Sequence, residues 1–245
     1  MVIGGLQKFS LLDYPGKMAA IVFTLGCNFR CHFCYNPMLV RPVNKAGRLK
    51  DSLLGKQQKD HTLVKEDGLF DFLAKRKNKL EAVVITGGEP TLQPDLPEFT
   101  RKIKNLGYLV KLDTNGTNPE MLKKLIKRKL IDYVAMDIKA PKDKYEKVAG
   151  TRVDFKKIEK SVKIIREAGL PHEFRTTLVP GLLEKEDIAQ IGRVIKGAEN
   201  WFLQKFKSDT DLVDEGFQGL SPFKDREMEE MVGIGERYVK RCEAR

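Results

Sequence analysis

Three of the four cysteines lie close together, at Cys27, Cys31 and Cys34. Thiolates are soft ligands that favour zinc or iron–sulfur centres over hard cations. A structural zinc site commonly takes two pairs of ligands from separate places, but the fourth cysteine, Cys242, is distant and alone. Three thiolates on one loop suit a [4Fe–4S] cluster whose fourth iron stays open to another ligand. Two alternatives stay open: a zinc site that adds His32, and three unrelated core cysteines.

Further polar groups follow or interrupt short apolar runs that are rich in valine and isoleucine. They are Gly87-Gly88-Glu89-Pro90, Asp113-Thr114-Asn115-Gly116, Asp137-Ile138-Lys139 and Arg175. In parallel α/β folds, ligands gather at the carboxyl ends of the strands. A glycine pair lets the backbone come close to a ligand, and a buried carboxylate or guanidinium demands a partner. We therefore predict that these groups and the cysteines share one edge of a sheet.

The elements that must position these groups alternate along the chain. Strands are predicted at 19–24, 82–86, 108–112, 133–136, 173–179 and 201–206, because short continuous apolar runs are typical of buried parallel strands. Helices are predicted at 62–76, 96–104, 119–129, 155–168, 185–196 and 222–241. Repeated strand–helix units indicate an α/β fold with right-handed crossovers. A closed barrel needs eight strands, so these six predict a partial (β/α)6 barrel that is open on one side.

Length favours a single domain spanning residues 1–245. The polar segment 41–60 is predicted to be a loop excursion. Residues 207–245 are predicted to form a C-terminal loop and helix that pack on the barrel.

Composition limits the class of protein and its partners. The chain has 41% hydrophobic residues and a formal net charge of +11. It lacks an apolar run of the roughly 18 residues that a membrane span needs, and its N-terminus lacks the pattern of a secretory signal. Clustered thiols suit a reducing compartment, which predicts the cytoplasm and no membrane partner. The positive charge favours an acidic partner, but the lysines are scattered on predicted helix faces, so nucleic acid is not the expected partner.

The cysteine spacing, with Phe33 just before Cys34, resembles the signature of the radical S-adenosylmethionine (SAM) superfamily. The segment Phe9-Ser10-Leu11-Leu12-Asp13-Tyr14-Pro15-Gly16 and the run Tyr35-Asn36-Pro37 resemble the branch that activates glycyl-radical enzymes. Within that branch the chain most resembles the activators of anaerobic ribonucleoside-triphosphate reductase. The resemblance implies a radical SAM barrel, with a [4Fe–4S] cluster on Cys27, Cys31 and Cys34 and with SAM as the second cofactor.

The resemblance also implies a role for each polar group. Gly87, Gly88 and Glu89 match the motif that binds the α-ammonium of SAM. Asp113, Thr114 and Asp137 match positions that hold a monovalent cation beside the SAM carboxylate. The alternative is that each aspartate caps the turn or helix that follows it. The remaining predicted SAM contacts are Phe33, Asn115, Lys139, Arg175 and Gln204, the last where pyruvate formate-lyase activating relatives carry a histidine.

The reaction implied by the resemblance is reductive cleavage of SAM followed by hydrogen abstraction from a glycine. The glycine would belong to a class III ribonucleotide reductase, and the electron would come from a ferredoxin- or flavodoxin-like donor. One alternative is a radical SAM enzyme for a small molecule, similar to 7-carboxy-7-deazaguanine synthase. Another, from a different class, is a non-catalytic iron–sulfur or zinc protein that binds an acidic partner.

Overall fold

The computed structural model describes residues 1–40 and 63–245. The predicted loop excursion at 41–60 lies outside the described residues. None of the helices in the described ranges combines the length and the apolarity that a membrane span requires.

The described strands form a mostly parallel sheet of eight that runs in chain order and is not closed. Strand β1 is antiparallel to β2. Strands β2 to β4 are parallel to one another, and so are β5 to β8. The bounds are β1 Ile3–Ser10, β2 Ala19–Thr24, β3 Ala82–Gly87, β4 Leu109–Thr114, β5 Tyr133–Asp137, β6 His172–Leu178, β7 Asn200–Lys205 and β8 Arg241–Ala244.

The helices lie between the strands, as the predicted α/β pattern requires. Their bounds are α1 Pro37–Val40, α2 Glu66–Arg76, α3 Leu96–Asn105, α4 Pro119–Lys127, α5 Tyr145–Ala149, α6 Phe155–Glu167, α7 Lys185–Val194 and α8 Asp225–Gly235. In α3, buried Leu96, Phe99 and Ile103 recur at helical spacing and give the helix one apolar face. Single 3₁₀ turns cover Pro90–Leu92 and Glu215–Phe217.

The α/β class and the open sheet are confirmed, and the six predicted strands correspond to β2 to β7. The sheet also contains β1 and β8, which were not predicted from the sequence. Strand β1 contains Gly4 and Gly5 and exposes three residues near its end, so it lacks the continuous apolar run of a buried strand. Strand β8 has four residues, and only its first, Arg241, lies in the helix predicted over 222–241. That helix, α8, ends at Gly235.

The chain divides into two compact units by its internal contacts. The first comprises Met1–Asn28, Met38–Asp113 and Lys123–Tyr133. Its strands β2 and β3 bury Ile21 and Val84 in a cluster with Tyr14 and Tyr133, whose rings lie 5.7 Å apart. This cluster fixes the loop between β1 and β2 against the sheet.

The second unit comprises Phe29–Pro37, Thr114–Leu122 and Val134–Arg245. Its core contains fully buried Trp201, whose indole N–H donates to Thr176 Oγ1 at 3.0 Å. Met228 and Met231 of α8 are buried and belong to the core of this unit. The single-domain organisation stays a prediction.

The two glycines of α8 provide a matched test of core packing. A methyl group at Gly235 would overlap Cys242 Sγ and lie 3.2 Å from the Trp201 ring, whereas one at Gly233 would meet nothing within 4 Å. We expect Gly235→Ala to lower the free energy of unfolding by about 1–3 kcal/mol through overpacking. Gly233→Ala should raise it by about 0.5–1 kcal/mol through helix propensity. Urea denaturation measures both changes in the free energy of unfolding. Equal changes for the two variants would contradict the close contact of Gly235 with Cys242 of β8.

Candidate functional site

The cysteine loop, residues 25–36, connects β2 to α1 without regular secondary structure. Cys31 is buried, whereas Cys27 and Cys34 are partly accessible. The Cys34 N–H donates to the Cys31 carbonyl at 3.1 Å, which closes a tight turn. The second and third cysteines of the motif are therefore held on one turn.

Helix α5 supports the beginning of this turn. The Arg30 N–H donates to the Ala149 carbonyl at 2.8 Å, and the Phe29 ring packs edge-on against Tyr145 at 6.2 Å. Gly150 ends α5 at φ 63°, and a Cβ there would overlap the Arg30 carbonyl oxygen. A glycine is required at this position both by the left-handed backbone and by the close approach of the loop.

The C-terminal segment 213–217 supports the other side of the turn. The backbone N–H groups of Val213 and Asp214 donate to the carbonyls of Cys34 and His32, each at 3.0 Å. His32 Nδ1 lies 2.9 Å from Asp214 Oδ2, and its ring stacks on Phe217. Because Nδ1 is engaged by Asp214, a zinc site that includes His32 would have to use Nε2.

Asp137, Lys139 and Arg175 meet in one ion-pair cluster at the carboxyl end of β5. Asp137 Oδ2 lies 2.9 Å from Lys139 Nζ, and Asp137 Oδ1 lies 2.8 Å from Arg175 Nε. Arg175 reaches this position because it is paired with Asp137 in the register of β5 and β6. Burial alone would raise the pKa of Asp137, but the two cations hold it well below its usual range. The carboxylate is therefore ionised at neutral pH.

This ion-pair cluster lies beside the cysteine turn. Lys139 Nζ is 5.8 Å from the centre of the buried Phe33 ring, a cation–π distance. Burial raises the pKa of the Cys31 thiol to about 11, while the positive charge of Lys139 acts in the opposite direction. Burial also raises the pKa of Cys34. These two thiols are protonated at neutral pH in the metal-free protein, so binding a metal centre must release protons.

The glycine-rich turn after β3 packs on the segment that leads into Cys27. The Gly88 N–H donates to the Thr24 carbonyl at 2.9 Å, and the Glu89 N–H donates to the Gly26 carbonyl at 2.8 Å. A Cβ at Gly87 would overlap the Thr24 backbone, and one at Gly88 would overlap the Gly26 carbonyl. The two glycines therefore admit neighbouring backbone; that they also admit a ligand stays a prediction.

Glu89 is buried and caps the short 3₁₀ turn that follows the glycines. Its Oε1 accepts from the Thr91 backbone N–H at 3.1 Å and from the Thr91 hydroxyl. Its relative exposure is only 1%, so it is a fixed, buried side chain and not a mobile surface one.

Asp113 and Lys111 lie on one face of β4, two residues apart. Lys111 Nζ is 3.4 Å from Asp113 Oδ1 and donates to the Asp13 carbonyl at 2.6 Å. Asp113 lies within the strand rather than after it, as does Thr114. Two side chains cap the turn after β4. Thr114 Oγ1 accepts from the Gly116 N–H, and Asn115 Oδ1 accepts from the Thr117 N–H and hydroxyl.

Gln204 lies on β7 opposite Thr177 of β6 and is partly accessible. Of the predicted site residues, the second unit thus brings together Cys31, Phe33, Cys34, Asp137, Lys139 and Arg175. The first unit brings Gly87, Gly88 and Glu89 against the backbone that precedes Cys27.

The family model of the radical SAM superfamily matches residues 21–193, a range that contains the cysteine loop and the Asp137 cluster. The chain belongs to the radical SAM superfamily. A relative from Methanocaldococcus jannaschii, provisionally named a glycyl-radical enzyme activating enzyme, is 37% identical over 243 residues. The match covers 97% of this chain and 93% of the relative, which places the chain in the glycyl-radical enzyme activating branch of the superfamily.

Two further similarities extend the comparison. A pyruvate formate-lyase-activating enzyme from Clostridium pasteurianum is 29% identical over 206 residues, covering 82% of this chain and 79% of that enzyme. The solved structure of Streptococcus suis SuiB bound to S-adenosylmethionine has a TM-score of 0.62 at 17% identity. That match covers 92% of this chain and 51% of SuiB and shows a shared fold. Radical SAM enzymes use a [4Fe–4S] cluster and SAM.

The donor set of this radical SAM chain fits a cluster better than a single metal ion. Within residues 1–40 and 63–245, no three His, Cys, Asp or Glu side chains are grouped as they would be around one ion. A cube binds each thiolate through a different iron, so its ligands need not converge on one point. Cys27, Cys31 and Cys34 would hold the cluster, and the turn bond between Cys31 and Cys34 fixes two of these ligands.

Several residues around this candidate site were not predicted from the sequence. Lys111 and Glu173 are buried charged residues within β4 and β6, and Glu173 Oε1 lies 3.9 Å from Arg175 Nη1. A charged residue within a predicted strand is a signal that could have identified both.

Tyr145, whose hydroxyl accepts from the Lys139 N–H at 3.4 Å, and Asp214 carry no comparable signal. Tyr145 also packs against Phe29, and Asp214 contacts His32, so both support the cysteine loop from segments that are distant in sequence.

Iron content tests the assignment of the cluster ligands. After anaerobic reconstitution, the wild-type protein should hold about four irons per chain, as one cube requires. Cys27→Ala, Cys31→Ala and Cys34→Ala should each lose the cluster, because a cube with one open iron needs a thiolate on each of its other three irons. Iron analysis and the visible absorption of the cluster measure this loss.

Cys242→Ala is the matched control. Cys242 is buried on β8, and burial raises its pKa to about 12, so its thiol is a packing group. This variant should keep its iron. Iron binding that requires Cys242, or that survives the loss of Cys27, would contradict the three-ligand assignment.

Proposed function

We propose that this chain installs a glycyl radical on the class III (anaerobic) ribonucleoside-triphosphate reductase of the same organism. The observation that carries the proposal is the near full-length match to a relative assigned to the activating enzymes. The reductase is proposed because, within the activating branch, the chain most resembles the activators of anaerobic ribonucleoside-triphosphate reductase, and because Gln204 stands where pyruvate formate-lyase activators carry a histidine. A ferredoxin- or flavodoxin-like protein is the proposed electron donor.

The cofactors would supply the difficult chemistry, and the chain would supply placement. When bound, the cluster would supply the electron for reductive cleavage of SAM, and SAM would supply the group that removes the glycine α-hydrogen, with methionine and 5′-deoxyadenosine as products. Cys27, Cys31 and Cys34 are the proposed cluster ligands, and the open iron is the proposed site of SAM. No acid or base catalyst is required by this scheme.

In the second unit, Lys139 and Arg175 are proposed to bind the carboxylate or ribose of SAM. Asp137 receives a hydrogen bond from each of them, which fixes the direction of both cationic groups. An ammonium group has three N–H donors, so a single bond to Asp137 leaves Lys139 able to bind an anionic ligand group. The buried Phe33 and Asn115 and the partly accessible Gln204 complete the proposed SAM contacts. Asn115 also fixes its own turn by accepting from Thr117.

In the first unit, Gly87, Gly88 and Glu89 are proposed to bind the α-ammonium of SAM. The carboxylate of Glu89 is a hydrogen-bond acceptor, and its bonds to Thr91 fix its orientation. A monovalent cation at Asp113, Thr114 and Asp137 remains part of the proposal. Lys111 already places a positive charge beside Asp113, and Lys139 and Arg175 do the same beside Asp137. A bound cation would therefore stabilise these carboxylates less than it would stabilise carboxylates that have no cationic neighbour.

A single domain and a cytoplasmic location complete the proposal. The location is supported by thiols that must stay reduced to ligate iron.

The proposed function is tested by electron paramagnetic resonance of the reductase. After incubation with reconstituted protein, SAM and a reductant, the reductase should show the doublet signal of a glycyl radical. The signal should be absent when SAM is omitted or when Cys31→Ala replaces the wild-type protein, because neither mixture can form the hydrogen-abstracting radical. Alanine in place of the reductase's radical-site glycine should also abolish the doublet.

A different result would favour the small-molecule alternative. If the reductase stays radical-free while the protein consumes SAM and converts a free nucleotide or purine precursor, the activating assignment fails.

A further inference from the structure

The end of β1 and the loop that follows it expose three large apolar side chains within four residues. Phe9 is 51% exposed, Leu11 is 62% exposed and Leu12 is 89% exposed. Single exposed apolar residues are common on protein surfaces. A contiguous group marks an interaction site more often than chance exposure does. We call Phe9, Leu11 and Leu12 the apolar tip.

The backbone of the apolar tip is fixed by local hydrogen bonds. The Ser10 hydroxyl donates to Asp13 Oδ2 and accepts from the backbone N–H groups of Leu12 at 3.1 Å and Asp13 at 3.3 Å. The Lys17 N–H closes a further turn on the Tyr14 carbonyl at 3.1 Å. Because this turn is held from both sides, the leucines are presented outward at little further cost in conformational entropy.

The apolar tip is also tied to the sheet that carries the candidate site. Lys111 Nζ donates to the Asp13 carbonyl at 2.6 Å, and the same ammonium lies 3.4 Å from Asp113 Oδ1. One buried cation therefore links the base of the loop to a proposed SAM-side carboxylate. A partner bound at the apolar tip would contact the loop that Lys111 anchors.

The shape and charge of the loop indicate the kind of partner. Protruding leucines need a concave apolar surface, which a small-molecule substrate does not offer but another protein does. Lys8, which is exposed, immediately precedes the apolar tip, and the chain has a net charge of +11. Lys17 follows the tip but already lies 2.7 Å from Glu81 in an exposed ion pair. An acidic rim on the partner would complement Lys8 and the net positive charge and favour encounter at low salt.

We propose that the apolar tip docks into an apolar groove with an acidic rim on the glycyl-radical protein that this chain activates. The proposal rests on the proposed function, because it identifies the partner as the reductase that receives the radical.

The test compares two double variants of the full-length reconstituted protein. Leu11→Ser with Leu12→Ser removes the apolar surface, whereas Leu11→Met with Leu12→Met keeps it with a similar side-chain volume. The serine variant should bind the reductase about tenfold or more weakly, and its radical yield at limiting reductase should fall in parallel. The methionine variant should match the wild type in both measurements. Both variants should cleave SAM slowly without the partner at the wild-type rate, because neither leucine touches a proposed cofactor ligand.

Equal affinity and equal radical yield for the serine variant and the wild type would overturn the proposal while leaving the proposed function intact. If the wild-type protein binds the reductase but installs no radical, the proposed function fails, and the affinities of the variants still decide the role of the apolar tip. If the serine change abolishes only self-association, measured by light scattering, the apolar tip is an interface between copies of this chain and the proposal is wrong. Failure of the wild-type protein to bind the reductase at all would overturn both.

Discussion

The ion-pair cluster around Asp137 is the interaction on which the candidate site most depends. It joins the carboxyl end of β5 to the middle of β6 through Arg175 and reaches the cysteine turn through Lys139 and Phe33. Removing one member of such a buried pair leaves an uncompensated charge, at a cost of about 3–5 kcal/mol. The ion-pair cluster therefore has two roles. It stabilises this edge of the sheet, and it holds two cationic side chains in the orientation that an anionic ligand group would require.

The cysteine loop is organised differently, because it has no regular secondary structure of its own. Its backbone groups are satisfied by α5 through Arg30 and by segment 213–217 through His32 and Cys34. Buried backbone groups without partners are costly, so these bonds give the loop a defined shape before any metal binds. The burial that raises the pKa values of Cys31 and Cys34 also keeps these thiols protonated and unreactive until a metal centre displaces the protons.

The features that could be predicted from sequence are those determined by local pattern. Continuous apolar runs located strands such as β2 within a residue or two, and the polar groups after them marked most of the candidate site. Strands β1 and β8 were missed because glycines, charges and short length conceal a strand that lies at a sheet edge. The supporting roles of Tyr145 and Asp214 could not be predicted, since they depend on contacts across more than a hundred residues of chain. Lys111 is the intermediate case, because a lysine inside an apolar strand signals a buried partner but does not identify it.

The central claim is that this radical SAM protein removes a hydrogen atom from a glycine of a partner protein. The most direct measurement uses a class III reductase produced with glycine that is deuterated at the α-carbon. The account predicts that the 5′-deoxyadenosine formed during activation carries deuterium from the reductase, seen by mass spectrometry, in step with the appearance of the radical. 5′-Deoxyadenosine that stays free of deuterium while the labelled reductase is present and SAM is consumed would contradict the account.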